Sequence, residues 1–177
     1  MMARVPLASD VGKLLKDRGL KLVLAESCTG GLAASMITDI PGSSDYYIGG
    51  VGAYAYEAKR YVLGVKQSSL EKFGAVSREV AMEMANGARR IFSGPEVGLD
   101  TLVSASITGI AGPGGGMPNK PVGLVWIALS TPTGQWAWSY IWKGDRISNK
   151  KQSAVQALKL VKLYLEGNLP AESKQNE

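Results

Sequence analysis

The stretch from Lys21 to Asp39, KLVLAESCTGGLAASMITD, constrains the fold of this chain more than any other. Leu22, Val23 and Leu24 form a short apolar run of the kind that fills a buried strand. Small and polar residues follow at once, from Ala25 through Glu26, Ser27, Cys28 and Thr29 to Gly30 and Gly31. Leu32 to Ile37 then read as a helix, with Leu32, Met36 and Ile37 apolar. A strand that bends straight into a helix leaves backbone N–H groups bare at the bend, and the helix dipole adds positive potential there. Such a place suits an anion, or the oxyanion of an acyl transfer. Gly30 and Gly31 let a ligand approach the backbone, and Ser27 and Thr29 bring hydroxyls. The same residues equally describe a capped helix with glycines for packing, and on this stretch alone both readings stand.

Composition narrows the chemistry. The 177 residues include no histidine and a single cysteine, Cys28. A Ser-His-Asp triad and a His-ligated metal are therefore excluded within one chain, and any hydrolytic base must be Lys, Tyr, Asp or Glu. One cysteine permits no internal disulfide, which fits a reducing cytosol, so a cytoplasmic protein is expected. No apolar run approaches the roughly 20 residues of a membrane span, and the first residues lack a signal-peptide core. A net charge of +5 permits an anionic substrate or weak nucleic-acid contact without requiring either.

The rest of the chain alternates mostly between helix and strand. Ser9 or Asp10 caps a predicted helix over Val11–Arg18. Residues 46–55 read as a glycine-containing strand, Glu57–Leu63 as a short helix, and Ser77 as the N-cap of a helix to Phe92. That helix carries an apolar stripe of Val80, Met84, Ala88 and Ile91. Thr101–Thr108 is a strand with polar side chains at Ser104 and Ser106. Residues 109–121, GIAGPGGGMPNKP, hold five glycines and three prolines and read as an irregular loop. Its glycine spacing is neither that of a P-loop nor G-x-G-x-x-G. Val122–Ser130 and Gln135–Trp142 form a predicted antiparallel hairpin, with Trp136, Trp138, Tyr140 and Trp142 on one face. That stripe reads as core or subunit interface, or as a platform for an aromatic ligand, and exposed tryptophans would favour a homo-oligomer. A last helix over Ser148–Glu166 buries Ala154, Leu158, Val161 and Leu165. These elements predict a single three-layer α/β/α domain over residues 1–167, with a mixed, mainly parallel sheet of about five to six strands and a polar, flexible tail over 168–177.

Several segments, taken in order, resemble the CinA C-terminal domain family. They are AESCTGG (25–31), PGSS (41–44), Tyr54 with EAK (57–59) and LGV (63–65), GAVS (74–77), TGIAGPGGG (108–116), KPVG (120–123) and GDR (144–146). The enzymatic members of that family are nicotinamide mononucleotide amidohydrolases. The resemblance implies hydrolysis of the carboxamide of that pyridine mononucleotide, with no cofactor and no metal. It also implies the stand-alone form, without the nucleotide-processing domain that accompanies many members. By similarity, Ser27 is the nucleophile, Lys59 its base, and Tyr54 a catalytic neighbour; Thr108 lines the pocket. Thr29, Gly30 and Gly31 would supply N–H donors to the oxyanion. Gly109 and Gly112 of the glycine loop, with Arg146 and Lys150, would hold the phosphate.

A lysine can act as base here if burial or a positive dipole lowers its pKa from about 10.4 toward neutrality. For an arbitrary lysine, a solvated surface position is the ordinary alternative. The chain departs from the family at Ala55 and Tyr56, where a small hydroxyl residue and an asparagine are usual, and at Lys150, where arginine is usual. Tyr56 would narrow the pocket, and lysine gives up the bidentate geometry of arginine. An inactive or altered-specificity nucleotide-binding member is therefore the alternative to an active deamidase. A nucleic-acid partner and a membrane are not expected.

Overall fold

The structure is a computed structural model that describes residues 4–173. Its strands are β1 (Lys21–Glu26), β2 (Tyr47–Gly52), β3 (Leu102–Gly109), β4 (Leu124–Thr131) and β5 (Gly134–Ile141). Its helices are α1 (Arg4–Asp17), α2 (Leu32–Thr38), α3 (Tyr56–Tyr61), α4 (Gln67–Phe73), α5 (Arg78–Phe92) and α6 (Arg146–Glu166). The strands form one mixed sheet in the order β2-β1-β3-β4-β5. β1 pairs in parallel with β2 and β3, while β3–β4 and β4–β5 are antiparallel, so β4 alone runs against the other four. Helices α1, α2 and α6 cover one face, and α4 and α5 cover the other.

The central strands are apolar because both of their faces are covered. In β1, Leu22 and Leu24 enter the core beneath α1 and α6, while Val23 and Ala25 enter the core beneath α5. Two polar side chains of β3 serve backbone groups, while the buried Ser104 hydroxyl has no partner among the described residues. Ser106 Oγ donates to the Ala81 carbonyl oxygen at 2.6 Å, and Thr108 Oγ1 to that of Ala75 at 2.7 Å. The parallel strands therefore end together, with Glu26 opposite Gly52 on one side and Ile107 on the other. The crevice beyond the carboxyl ends of parallel strands is the usual ligand position in such sheets.

Several boundaries differ from those read in the sequence, each for a local reason. α1 starts at Arg4 rather than Val11: Pro6 lies in the first turn, where its missing N–H is not needed, and Ala8 joins Val11 and Leu15 in the core. α6 starts at Arg146 rather than Ser148, because Asp145 caps it by accepting from the Ser148 N–H at 2.7 Å. In α5, Ser77 is the N-cap as expected, but Ile91 is exposed and leaves the buried stripe after Ala88.

The tryptophan stripe of β5 faces α6 and the segment after it. Trp138 is buried, and its Nε1 donates to the Ala171 carbonyl oxygen at 3.0 Å; Trp142 Nε1 donates to Ser153 Oγ at 2.9 Å. Trp138 is core, and Trp136, Tyr140 and Trp142 are partly buried against the same cluster. Residues 168–173, expected to be loose, run along β5, where Glu172 accepts from the Ala137 N–H and pairs with Arg78 at 2.7 Å. The last four residues of the expected tail lie outside the described residues.

Gly87, in the middle of α5, allows this helix to pack against the chain that leaves α3. A Cβ at position 87 would stand 1.9 Å from the Leu63 carbonyl oxygen. Helix propensity alone makes alanine better than glycine by about 1 kcal/mol. Overpacking against backbone outweighs that gain, so Gly87→Ala is expected to cost about 2–3 kcal/mol in urea unfolding. Gly94→Ala, in open space, is the control and should change little. An unchanged unfolding midpoint for Gly87→Ala would contradict the close approach.

Candidate active site

The ends of β1, β2 and β3 bring the predicted pair together. Ser27 continues β1 by one residue, its N–H donating to the Ile107 carbonyl oxygen at 2.9 Å. Lys59 comes from α3, which follows β2 after a short turn, and is only 1% exposed. Lys59 Nζ lies 2.9 Å from Ser27 Oγ, 2.8 Å from the Ala53 carbonyl oxygen and 2.9 Å from that of Tyr54.

The three oxygens match the three donors of an ammonium. With the proton gone, Nζ keeps two N–H donors for the two carbonyls, and its lone pair faces the Ser27 hydroxyl, which then donates. No carboxylate among the described residues is within ion-pairing distance of Nζ. Burial without a counter-charge lowers the Lys59 pKa to about 8, opposed only in part by Cys28. The same burial raises the neighbouring thiol: Cys28 is pushed up to about 12, so it stays protonated and is a poor nucleophile beside Ser27.

Glu26 alters the expected use of the bend. Its buried carboxylate accepts from the N–H groups of Gly31 and Ala33, each at 3.1 Å, and of Ala34 at 2.8 Å. The Gly30 N–H goes to the Ser27 carbonyl oxygen at 3.1 Å. The positive end of α2 is thus spent on the protein's own carboxylate, and Gly30 and Gly31 cannot serve as free oxyanion donors. The Cys28 and Thr29 amides make no hydrogen bond to another described residue. The sequence signal for this role is an acidic residue shortly before a helix start.

A cavity of about 270 Å³ opens over the pair. Ser27, Cys28 and Lys59 line it together with Thr108 and Gly109 of β3, Ala75 and Val76 before α5, and Tyr54, Tyr56 and Met117. Arg146 enters from the start of α6, donating from Nη1 to the Gly112 carbonyl oxygen at 2.7 Å and from Nη2 to Tyr54 Oη at 3.0 Å. Of the predicted residues, Ser27, Lys59, Tyr54, Thr108, Gly109 and Arg146 meet here. Thr29, Gly30, Gly31, Gly112 and Lys150 do not line the cavity; Gly112 orients Arg146, and Lys150 lies beside Gly30. Tyr56 spans part of the cavity, its hydroxyl accepting from the Ala75 N–H at 3.4 Å. Lys120, also a lining residue, was not among those predicted. Among the described residues no group of three or more His, Cys, Asp or Glu side chains is placed to hold a metal ion. No helix there is long and apolar enough to cross a membrane.

Comparison with known proteins places these residues among relatives. The CinA C-terminal domain family matches residues 4–165. A CinA-like protein of Desulfotalea psychrophila is 46% identical over 162 residues, covering 92% of this chain and 38% of that protein. A CinA-like protein of Desulforapulum autotrophicum is 47% identical over 156 residues, covering 86% of this chain and 34% of that protein. The chain therefore spans between a third and two-fifths of the length of these curated relatives. Among solved structures, a competence-damaged protein (CinA) superfamily protein from Klebsiella pneumoniae superposes with a TM-score of 0.86 at 30% identity, covering 94% of this chain and 99% of that one. A competence/damage inducible protein from Agrobacterium tumefaciens superposes at 0.77 and 35% identity, covering 90% of this chain and 95% of that one.

The buried amine makes stability depend on pH with a definite sign. Lys59 titrates near 8 in the fold and at 10.5 when exposed. Below pH 8 both states hold the proton and the fold carries the full desolvation penalty. Between 8 and 10.5 the unfolded chain binds more protons than the native one, so stability rises with pH, by roughly 3 kcal/mol in all. Lys59→Met lacks this group. The difference in unfolding free energy, wild type minus Lys59→Met, is expected to grow by about that amount across the interval. A flat difference would show that the amine is not held neutral.

Proposed function

The chain belongs to the CinA C-terminal domain family, and from that premise we propose that it is an amidohydrolase converting nicotinamide mononucleotide to nicotinic acid mononucleotide and ammonia. The observation that carries this reading is the 2.9 Å contact between Lys59 Nζ and Ser27 Oγ at the floor of the cavity. Ser27 Oγ attacks the carboxamide carbon while neutral Lys59 takes its proton. The carbonyl oxygen becomes an oxyanion, for which the Cys28 amide next to the nucleophile is the nearest backbone donor in the chain. Lys59 then gives the proton to the departing nitrogen, the C–N bond breaks and ammonia leaves. The acyl-serine ester is hydrolysed by water, with Lys59 again accepting a proton. The carboxylate product is released and Ser27 is restored.

Arg146 is the phosphate contact in this scheme. Its guanidinium is held by Gly112 and Tyr54, so Tyr54 acts by orienting the arginine through its hydroxyl. The chemistry calls for no metal ion and no cofactor. The second reading is a family member that binds the nucleotide without turning it over. The observation that favours it is Tyr56, which reaches Ala75 and takes up room in the cavity.

Purified protein is expected to release ammonia from nicotinamide mononucleotide. Ser27→Ala and Lys59→Ala should each lower kcat/KM by about 10³-fold or more. In the wild type, kcat/KM should rise with pH through about 8, as Lys59 loses its proton. Lys59→Arg, which cannot deprotonate in that range, should lack the rise. Equal activity in wild type and both alanine variants would discard the mechanism, and tight binding without ammonia release would establish the second reading.

A further inference from the structure

Two motifs, GAVS and KPVG, have no part in the chemistry above, and they meet in the wall of the cavity. Lys120 Nζ donates to the Phe73 carbonyl oxygen at the end of α4. Its backbone is fixed to Met117 by reciprocal bonds, N–H to carbonyl oxygen each way at 2.9 Å. Gly74 provides the seat, because a Cβ there would stand 3.0 Å from Lys120 Nζ and its φ of +70° disfavours any other residue. The glycine of one motif thus accommodates the lysine of the other.

Charge gives this placement its meaning. Lys59, Lys120 and Arg146 are the basic side chains lining the cavity, and no Asp or Glu lines it. Once Lys59 has lost its proton, above about pH 8, the basic side chains that remain in the lining are Arg146 and Lys120. Burial lowers the Lys120 pKa, opposed in part by the charge of Glu79; Glu79 lines the adjoining hollow, which Lys120 borders as well as the cavity. An ammonium has three donors, and the Phe73 carbonyl takes one of those of Lys120.

We propose that Lys120, rather than Lys150, is the second cationic anchor for the substrate's phosphate, acting with Arg146. This assignment rests on reading the cavity as a site for a phosphoribosyl amide. Charge-assisted contacts to phosphate are the stronger class of hydrogen bond, and losing one weakens binding about 10- to 100-fold.

The test is calorimetric binding of ribose 5-phosphate, nicotinamide mononucleotide and nicotinamide riboside to wild type, Lys120→Met, Lys120→Arg and Lys150→Met. Lys120→Met is expected to weaken both phosphorylated ligands about 10- to 100-fold and to leave the riboside unchanged. Lys120→Arg should recover part of the loss, and Lys150→Met should bind as wild type does. The assignment is overturned if Lys120→Met binds ribose 5-phosphate normally, if it weakens the riboside equally, or if the wild type does not bind ribose 5-phosphate. A phosphate-dependent loss in a wild type that releases no ammonia would remove the amidohydrolase and keep Lys120. Ammonia release with an unchanged KM in Lys120→Met would remove Lys120 and keep the amidohydrolase.

Discussion

A primary amine shut away from water without a counter-charge is the constraint on which this site depends. Desolvation disfavours the charged form of Lys59, and the nearby groups are two carbonyls and a hydroxyl rather than a carboxylate. The fold supplies each of them from a different place. β1 ends at Ser27, β2 ends so that the carbonyls of residues 53 and 54 turn inward, and α3 returns Lys59 between them. The packing of α5 on Leu63, which Gly87 permits, holds the far end of that return. A site built this way needs no histidine, in keeping with a chain that has none.

The electrostatics of the bend are divided among neighbours. Glu26 takes the N–H groups that start α2, which fixes the bend while leaving its net field small. Cys28 is intrinsically the better nucleophile, yet burial keeps it a thiol. Ser27 is left as the group with a proton acceptor in contact. Positive charge sits instead at the walls, on Arg146 and Lys120, where an anionic part of a ligand would be distant from the reacting bond. Asn149 ties these parts together, accepting from the Gly144 N–H and donating to the Ala111 carbonyl oxygen, which joins the glycine loop to the start of α6.

Much of this was legible in the chain because it depends on local signals. The apolar run at 22–24 followed by small residues marked the strand and bend, Ser77 marked a helix start, and the stripe through Leu158 and Leu165 marked a buried face. The approach of Lys59 to Ser27 came from the resemblance of ordered motifs, since no periodicity connects residues 32 positions apart. What could not be read locally was partner choice. Glu26 looked like one more polar residue in a turn, and only the fold shows it capping α2. Lys150 and Lys120 are both lysines near glycines, but Lys150 lies beside Gly30 without lining the cavity, and Lys120 lines it. The tryptophans of β5 alternate as any half-buried strand does, and the cover provided by α6 and residues 168–173 is a tertiary fact.

The most direct measurement is the titration of Lys59 itself. In protein labelled with ¹³C at lysine Cε, the Lys59 signal can be identified by its loss in Lys59→Arg and followed from about pH 6 to 11. A midpoint near 8 is the predicted result, with the amine neutral and facing Ser27 over the upper part of the range. A midpoint at the ordinary 10.5 would mean that the lysine is solvated or paired, and the account of Ser27 activation would be wrong.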